Sequence, residues 1–112
     1  MKIAVPTANG LLNAHFGHCE AFAIIEVDPD TKAILNRSDI DAPPHEPGLL
    51  PRWLGEKGVN LIIAGGMGQR AQMLFNQQNI QVIVGVPCEA PEKLVNAYLS
   101  GTIQSGVNLC DH

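Results

Sequence analysis

Val59 to Phe75, VNLIIAGGMGQRAQMLF, is the stretch whose reading decides the fold. Leu61 to Gly65 is a short apolar run behind the polar Asn60, and predicts a buried strand. Gly66-Met67-Gly68 interrupts it, and Ala71, Leu74 and Phe75 resume at helical spacing. Strand, glycine turn and helix form the repeating unit of an open α/β sheet. Glycines let backbone N–H groups approach a ligand closely, and a helix N-terminus favours an anion. Arg70, in the first helical turn, adds a positive charge. Gly65, Gly66 and Gly68 do not have GxGxxG spacing, and no Gly-Lys-Ser/Thr follows, so this is neither a dinucleotide fingerprint nor a Walker loop. The turn reads either as an anion-approach site or as a tight strand-to-helix connection without a ligand.

Upstream, Lys2 to Val5 predicts a first strand stopped by Pro6, and Thr7 to Asn13 a polar loop. His15-Phe16-Gly17-His18-Cys19-Glu20 then places two imidazoles, a thiol and a carboxylate within six residues. In Ala21 to Asp28, Phe22 and Ile24 alternate with Ala23, Ile25 and Val27, the period of a strand. Pro29-Asp30-Thr31 is a turn, and Ala33 to Ser38 a more polar edge strand paired with the one before it. Pro43, Pro44 and Pro47 mark a loop around His45. A helix runs from there to about Lys57, with Leu49, Leu50, Trp53 and Leu54 on one face and Gly58 as its cap. Downstream, Asn79 suits a left-handed helix end, Gln81 to Val84 is a strand, and Cys88 lies in the loop after it. Pro91 opens a last helix that Gly101 closes. Residues 102–112 form a polar tail.

At 112 residues the chain reads as one domain, 1–112, long enough for a core without staples. It has 7 basic residues, a net charge of −4 and no basic run, which argues against nucleic acid. No stretch approaches a membrane span, and MKIAVPT lacks the features of a signal peptide, so a cytoplasmic location is expected. Three cysteines are an odd count, favouring free thiols or metal ligands over a structural disulfide set.

The order β-β-β-α-β-α-β-α predicts a five-stranded mixed sheet with helices on its faces. If strands one, four and five are parallel and strand two is antiparallel to its neighbours, several loops leave from one edge. These are the loop carrying His15, His18 and Cys19, the loop with His45, the turn Gly65 to Arg70, and the loop with Cys88. Open α/β sheets bind ligands at that carboxyl edge. A folded-over tail would add Cys110 and His112, which share one side of an extended chain. Thiolates suit copper(I) and iron–sulfur clusters, and imidazole suits zinc, copper and iron. An anionic metal–sulfide cluster would also use the turn's N–H groups and Arg70 as donors. No C-x-x-C pair exists, so the metal reading rests on convergence in space.

Blander readings stand beside these. Cys88 reads as a small buried or half-buried thiol, His45 as a loop brace, and Trp53 and Tyr98 as core. A magnesium nuclease would need carboxylates clustered on the central strands, and strands one and four have none. A Cys19 nucleophile is poorly served by His18, because adjacent side chains of an extended chain point apart.

The opening MKIAVPT, His15-Phe16-Gly17 with Phe22, Gly58-Val59, Ile63 to Gly68 with Arg70-Ala71, and Tyr98-Leu99-Ser100-Gly101 together resemble the dinitrogenase iron–molybdenum cofactor-binding family. Its members include small NifX-like proteins related to the C-terminal part of NifB. The resemblance implies a ribonuclease H-like α/β fold without a nuclease site. It implies binding or carriage of a metal–sulfur cluster during cofactor assembly, of iron–molybdenum, iron–sulfur or, as in the related orange proteins, molybdenum–copper type. Its cluster region matches the loop at His15 to Cys19 and the turn Gly65, Gly66, Met67, Gly68 and Arg70.

The resulting expectation is a non-enzymatic cluster carrier. His15, His18, Cys19, His45, Cys110 and His112 are its candidate metal ligands. Its partners would be cluster donor or acceptor proteins, not nucleic acid or membrane, and it would be a monomer or weak homodimer. The alternative is an interaction or sensor module that binds a small anion or nucleotide at the glycine turn.

Overall fold

Strand β1 (Lys2–Ala8) is the axis of the sheet, with β3 (Ala21–Asp28) antiparallel on one side and β5 (Leu61–Ile63) parallel on the other. The computed structural model describes residues 1–12, 19–43 and 48–103. Within them the sheet has six strands in the order β4-β3-β1-β5-β6, where β4 is Ala33–Asp41 and β6 is Gln81–Ile83. The sixth, β2 (Leu11–Leu12), pairs with the end of β1. Helices α1 (Leu49–Glu56), α2 (Gln69–Gln77) and α3 (Pro91–Ser100) complete the mixed α/β architecture. The parallel and antiparallel relations are those expected from the element order.

Period-two alternation sorts the side chains of the central strands onto two faces. Ile3, Val5, Ala23, Ile25, Leu61 and Ile63 pack beneath Leu94 and Val95 of α3. Ala4, Phe22, Ile24 and Ile62 pack with Leu54 of α1 and Phe75 of α2. Because helices cover both faces, the central strands are apolar at nearly every position. Trp53 sits at the rim of the second cluster, its ring centroid 5.7 Å from that of Phe22 and 4.7 Å from Lys57 Nζ.

Three features depart from the sequence reading. Pro6 does not stop β1. The Met1 amino group donates to the Val27 carbonyl, and the Val27 N–H to that of Met1. Alternation then turns Pro6 toward β5, which pairs with β1 only at Ile3 and Ala4, so no ladder donor is missed. Second, Thr7 to Asn13 is not all loop. Asn9 and Gly10 have φ of 55° and 79°, the signature of a tight hairpin turn, and this creates the sixth strand. Third, β4 runs on to Asp41 through an irregularity in its pairing between Glu26 and Val27. That irregularity leaves Leu35 60% exposed, and with Arg37, Asp39 and Asp41 it blunts the open edge of the sheet.

Candidate functional site

The chain leaves the sheet at the same edge after β1, β4, β5 and β6, because these four strands run in one direction. Backbone hydrogen bonds join the roots of the departing segments. Glu20 N–H donates to the Thr7 carbonyl at 2.8 Å, and Ala42 N–H to the Glu20 carbonyl at 3.0 Å. Leu12 N–H donates to the Glu89 carbonyl at 3.0 Å, tying β2 to the loop after β6. Gly85 N–H donates to the Gly65 carbonyl at 2.9 Å, tying that loop to the central turn. The expected convergence of loops is therefore a hydrogen-bonded assembly of their bases.

In the glycine turn, Gly65, Gly66 and Met67 are buried, whereas Gly68, Gln69 and Arg70 are exposed. Met67, only 1% exposed, packs its side chain into the core with Phe22 and Phe75, so its sulfur is not presented to a ligand. Gly68 is the N-cap of α2, with no side-chain cap, and the first turn holds no acidic residue. Its φ of −63° is open to any residue, and a Cβ there would meet no described atom within 4 Å. Neither backbone strain nor packing requires glycine at 68; a glycine keeps the approach to the helix N-terminus clear. Gln72 Nε2 donates to the Met67 carbonyl at 2.9 Å and holds the turn from within the helix.

Cys19 lies at the foot of the first loop, half-buried against the apolar cluster containing Phe22, Trp53 and Ala71. Burial pushes its thiol up to about 11, opposed by a backbone hydrogen bond that pulls it down. At neutral pH the group is a protonated thiol, which disfavours the nucleophile reading, and a metal would have to displace its proton. Cys88 departs from expectation: it is exposed. His15, His18, His45, Cys110 and His112 lie outside the described residues. Among the described residues no group of three or more His, Cys, Asp or Glu is gathered for a metal ion.

Two residues that hold the site carried no assigned role in the sequence reading. Glu20 bonds through its main chain to both flanking segments, and its Oε1 accepts the Asn9 N–H at 2.9 Å. Gln72 is the other. A glutamine has no fixed spacing that announces such a contact, but the Asn9-Gly10 dipeptide does announce the hairpin that Glu20 clasps.

Residues 1–101 match the family described as dinitrogenase iron–molybdenum cofactor. The chain belongs to that family. The match spans every strand, helix and turn described above, so the cofactor-family frame is the whole fold. One relative is uncharacterized protein MJ0580 of Methanocaldococcus jannaschii, 37% identical over 87 residues, covering 73% of this chain and 72% of its own. The crystal structure of PH0822 superposes with a TM-score of 0.87 at 23% identity, over 97% of each chain. The apo form of the orange protein from Desulfovibrio gigas gives 0.73 at 21% identity, over 96% of this chain and 93% of its own. At these identities the two structures establish a shared fold. No helix among the described residues is long and apolar enough to cross a membrane.

Proposed function

We propose that this protein binds and carries a metal–sulfur cluster at the carboxyl edge of its sheet, without catalysing a reaction of its own. The observation that carries the reading is the hydrogen-bonded gathering of loop bases around an uncapped helix N-terminus, in a chain of the iron–molybdenum cofactor family. An anionic cluster of iron–molybdenum, molybdenum–copper or iron–sulfur type is the cargo this edge suits. Cys19 and Cys110 would give thiolates, and His15, His18, His45 and His112 imidazole nitrogens. The N–H groups of Gly65, Gly66, Met67 and Gly68 and the Arg70 guanidinium would bond to its sulfides. The open space at Gly68 supports the approach, and the elevated Cys19 thiol means that loading releases a proton. Cluster donors and acceptors are the partners such a carrier needs, meeting it in the cytoplasm as a monomer or weak homodimer.

Anaerobic purification followed by analysis for iron, molybdenum, copper, zinc and acid-labile sulfide tests this. Stoichiometric metal with sulfide is expected, together with its loss when Cys19 and Cys110 are both replaced by Ser. Retained uptake in that double variant removes the ligand assignment. Should no metal bind even after attempted reconstitution, the uncapped α2 N-terminus supports a second reading, a small-anion site. Added phosphate or a nucleotide would then raise the melting temperature, and Arg70→Ala would diminish that rise.

A further inference from the structure

The sheet ends in β4 on one side and β6 on the other, and β4 is much the longer edge, 9 residues against 3. The ladder fixes which way its backbone groups point. Met1 and Val27 exchange both main-chain hydrogen bonds, so the odd-numbered residues of β3 bond toward β1 and the even-numbered ones toward β4. Ile40 is opposite Phe22 and Ser38 opposite Ile24, so both bond inward, as Ala42 does to Glu20. Arg37, Asp39 and Asp41 therefore turn their N–H and carbonyl groups away from the sheet, where no described strand meets them.

The side chains at those positions carry a sign pattern. Arg37 is the sole cation of β4, and it lies 3.1 Å from Asp39 and against Glu92 of α3. A strand that pairs antiparallel with its own copy does so about a two-fold axis. Outward backbone groups meet only when odd-numbered residues face odd-numbered ones, which puts the axis on a single residue. An axis on Arg37 or on Asp39 opposes that residue to itself, and one on Ile40 opposes Asp39 to Asp41. Each of these sets like charges face to face, which is destabilising. An axis on Asn36 carries the pairing through the irregularity at Leu35. An axis on Ser38 sets Arg37 against the partner's Asp39, and Asp39 against the partner's Arg37.

We propose that β4 is a docking surface for a second copy of this chain, paired antiparallel through residues 36–40 about Ser38. The charges that blunt this edge against chance pairing thereby select one register, and that self-complementarity identifies the occupant. The contact is small and its ion pairs are exposed, so the association is weak and reversible. The two copies of β4 run in opposite directions, which puts their carboxyl edges at opposite ends of the joined sheet. Each chain then keeps a cargo site of its own. That last statement rests on the carrier reading; the pairing does not.

Sedimentation equilibrium of the full chain tests the pairing. The mass is expected to rise reversibly from the 12.0 kDa of one chain toward twice that value as concentration approaches about 1 mM. Arg37→Asp makes both facing positions acidic, and Asp39→Arg makes both basic. Each variant alone should stay at the mass of one chain, and an equimolar mixture should associate as a heterodimer. Wild type that stays at one chain's mass, folded variants that still self-associate, or a folded mixture that does not associate overturns the proposal. Circular dichroism reports the folding of each variant. Cysteine placement reads the register independently of charge. Exposed Ser38 faces its own copy at a close, non-hydrogen-bonded position, so diamide should link Ser38→Cys to itself. Asn36→Cys, opposite the partner's Ile40, should link far less, and equal linking at the two sites overturns the register. Metal content is the last readout. Equal metal per chain in wild type and Arg37→Asp supports separate cargo sites; a fall in Arg37→Asp refutes them and leaves the pairing standing.

Discussion

The two ends of the sheet are built differently. At the amino edge every described connection turns sharply on a left-handed residue: Lys32 between β3 and β4, Gly58 before β5, Asn79 before β6 and Gly101 after α3. Side chains close these turns as well. Asp28 Oδ1 accepts the N–H groups of Asp30 and Thr31, which hold its carboxyl below the usual carboxylate range. The carboxyl edge has left-handed residues too, at Asn9, Gly10, Gly48 and Gly85, and Glu20 and Gln72 brace its turns, but its α2 N-terminus has no side-chain cap. The amino edge closes each connection on itself, while the carboxyl edge keeps a helix N-terminus without a side-chain cap and the thiols of Cys19 and Cys88. On the carrier reading proposed above, stability and function are thereby separated along the strand direction.

The largest effect that would sharpen this contrast is expected at Phe75. It is fully buried, and its carbonyl accepts the N–H groups of Gln78 and Ile80 at the amino-edge turn. Phe75→Ala should cost about 3–5 kcal/mol in urea unfolding. Next comes Gly101→Ala, where the surrounding space is open and the left-handed backbone alone is at fault. The expected loss is about 1–2 kcal/mol. A loss as large from an exposed residue of the glycine turn would break the comparison.

The cysteines give a finer measure. In folded protein, iodoacetamide at pH 8 should modify the exposed Cys88 well before the half-buried Cys19, as read by peptide mapping. Burial favours the protonated Cys19 thiol, so its contribution to stability is complete below the ordinary thiol pKa of 9.0. It is lost as pH rises toward about 11. Urea midpoints should therefore fall between pH 8 and 10.5, and fall less in Cys19→Ser. The smallest stability effect is expected for Gly68→Ala, within about 1 kcal/mol, since alanine is only a poorer helix cap than glycine. If the carrier reading holds, the same substitution lowers cluster uptake.

What the sequence revealed follows the same division. The central unit around Gly65 to Phe75, the faces of β3 and the helix ends at Gly58, Asn79 and Gly101 are all local signals, written in periodicity and in residues that tolerate positive φ. The strand directions followed from element order, because crossover and hairpin connections leave few alternatives. The short β2 has Asn9-Gly10 as its one local signal, and Pro6 reads as a stop because its pairing side depends on where β5 ends. The exposure of Cys88 depends on the path of the loop between β6 and α3, which no local pattern encodes. The donors on the carboxyl-edge loops pose the same difficulty: spacing does not gather them, and only the path of each loop could.

The position of β1 has a consequence for how the protein is made. Its partner on one side, β3, follows closely, and a hairpin with β4 completes an antiparallel half early in the chain. Its other partner pairs Leu61 with Ile3. At a ribosomal pace of about 5–20 residues per second, that partner is synthesised roughly 3–12 s after β1. Through that interval the most protected strand of the finished sheet is an exposed edge, and the nascent chain depends on whatever shields Ile3 and Ala4 until β5 arrives.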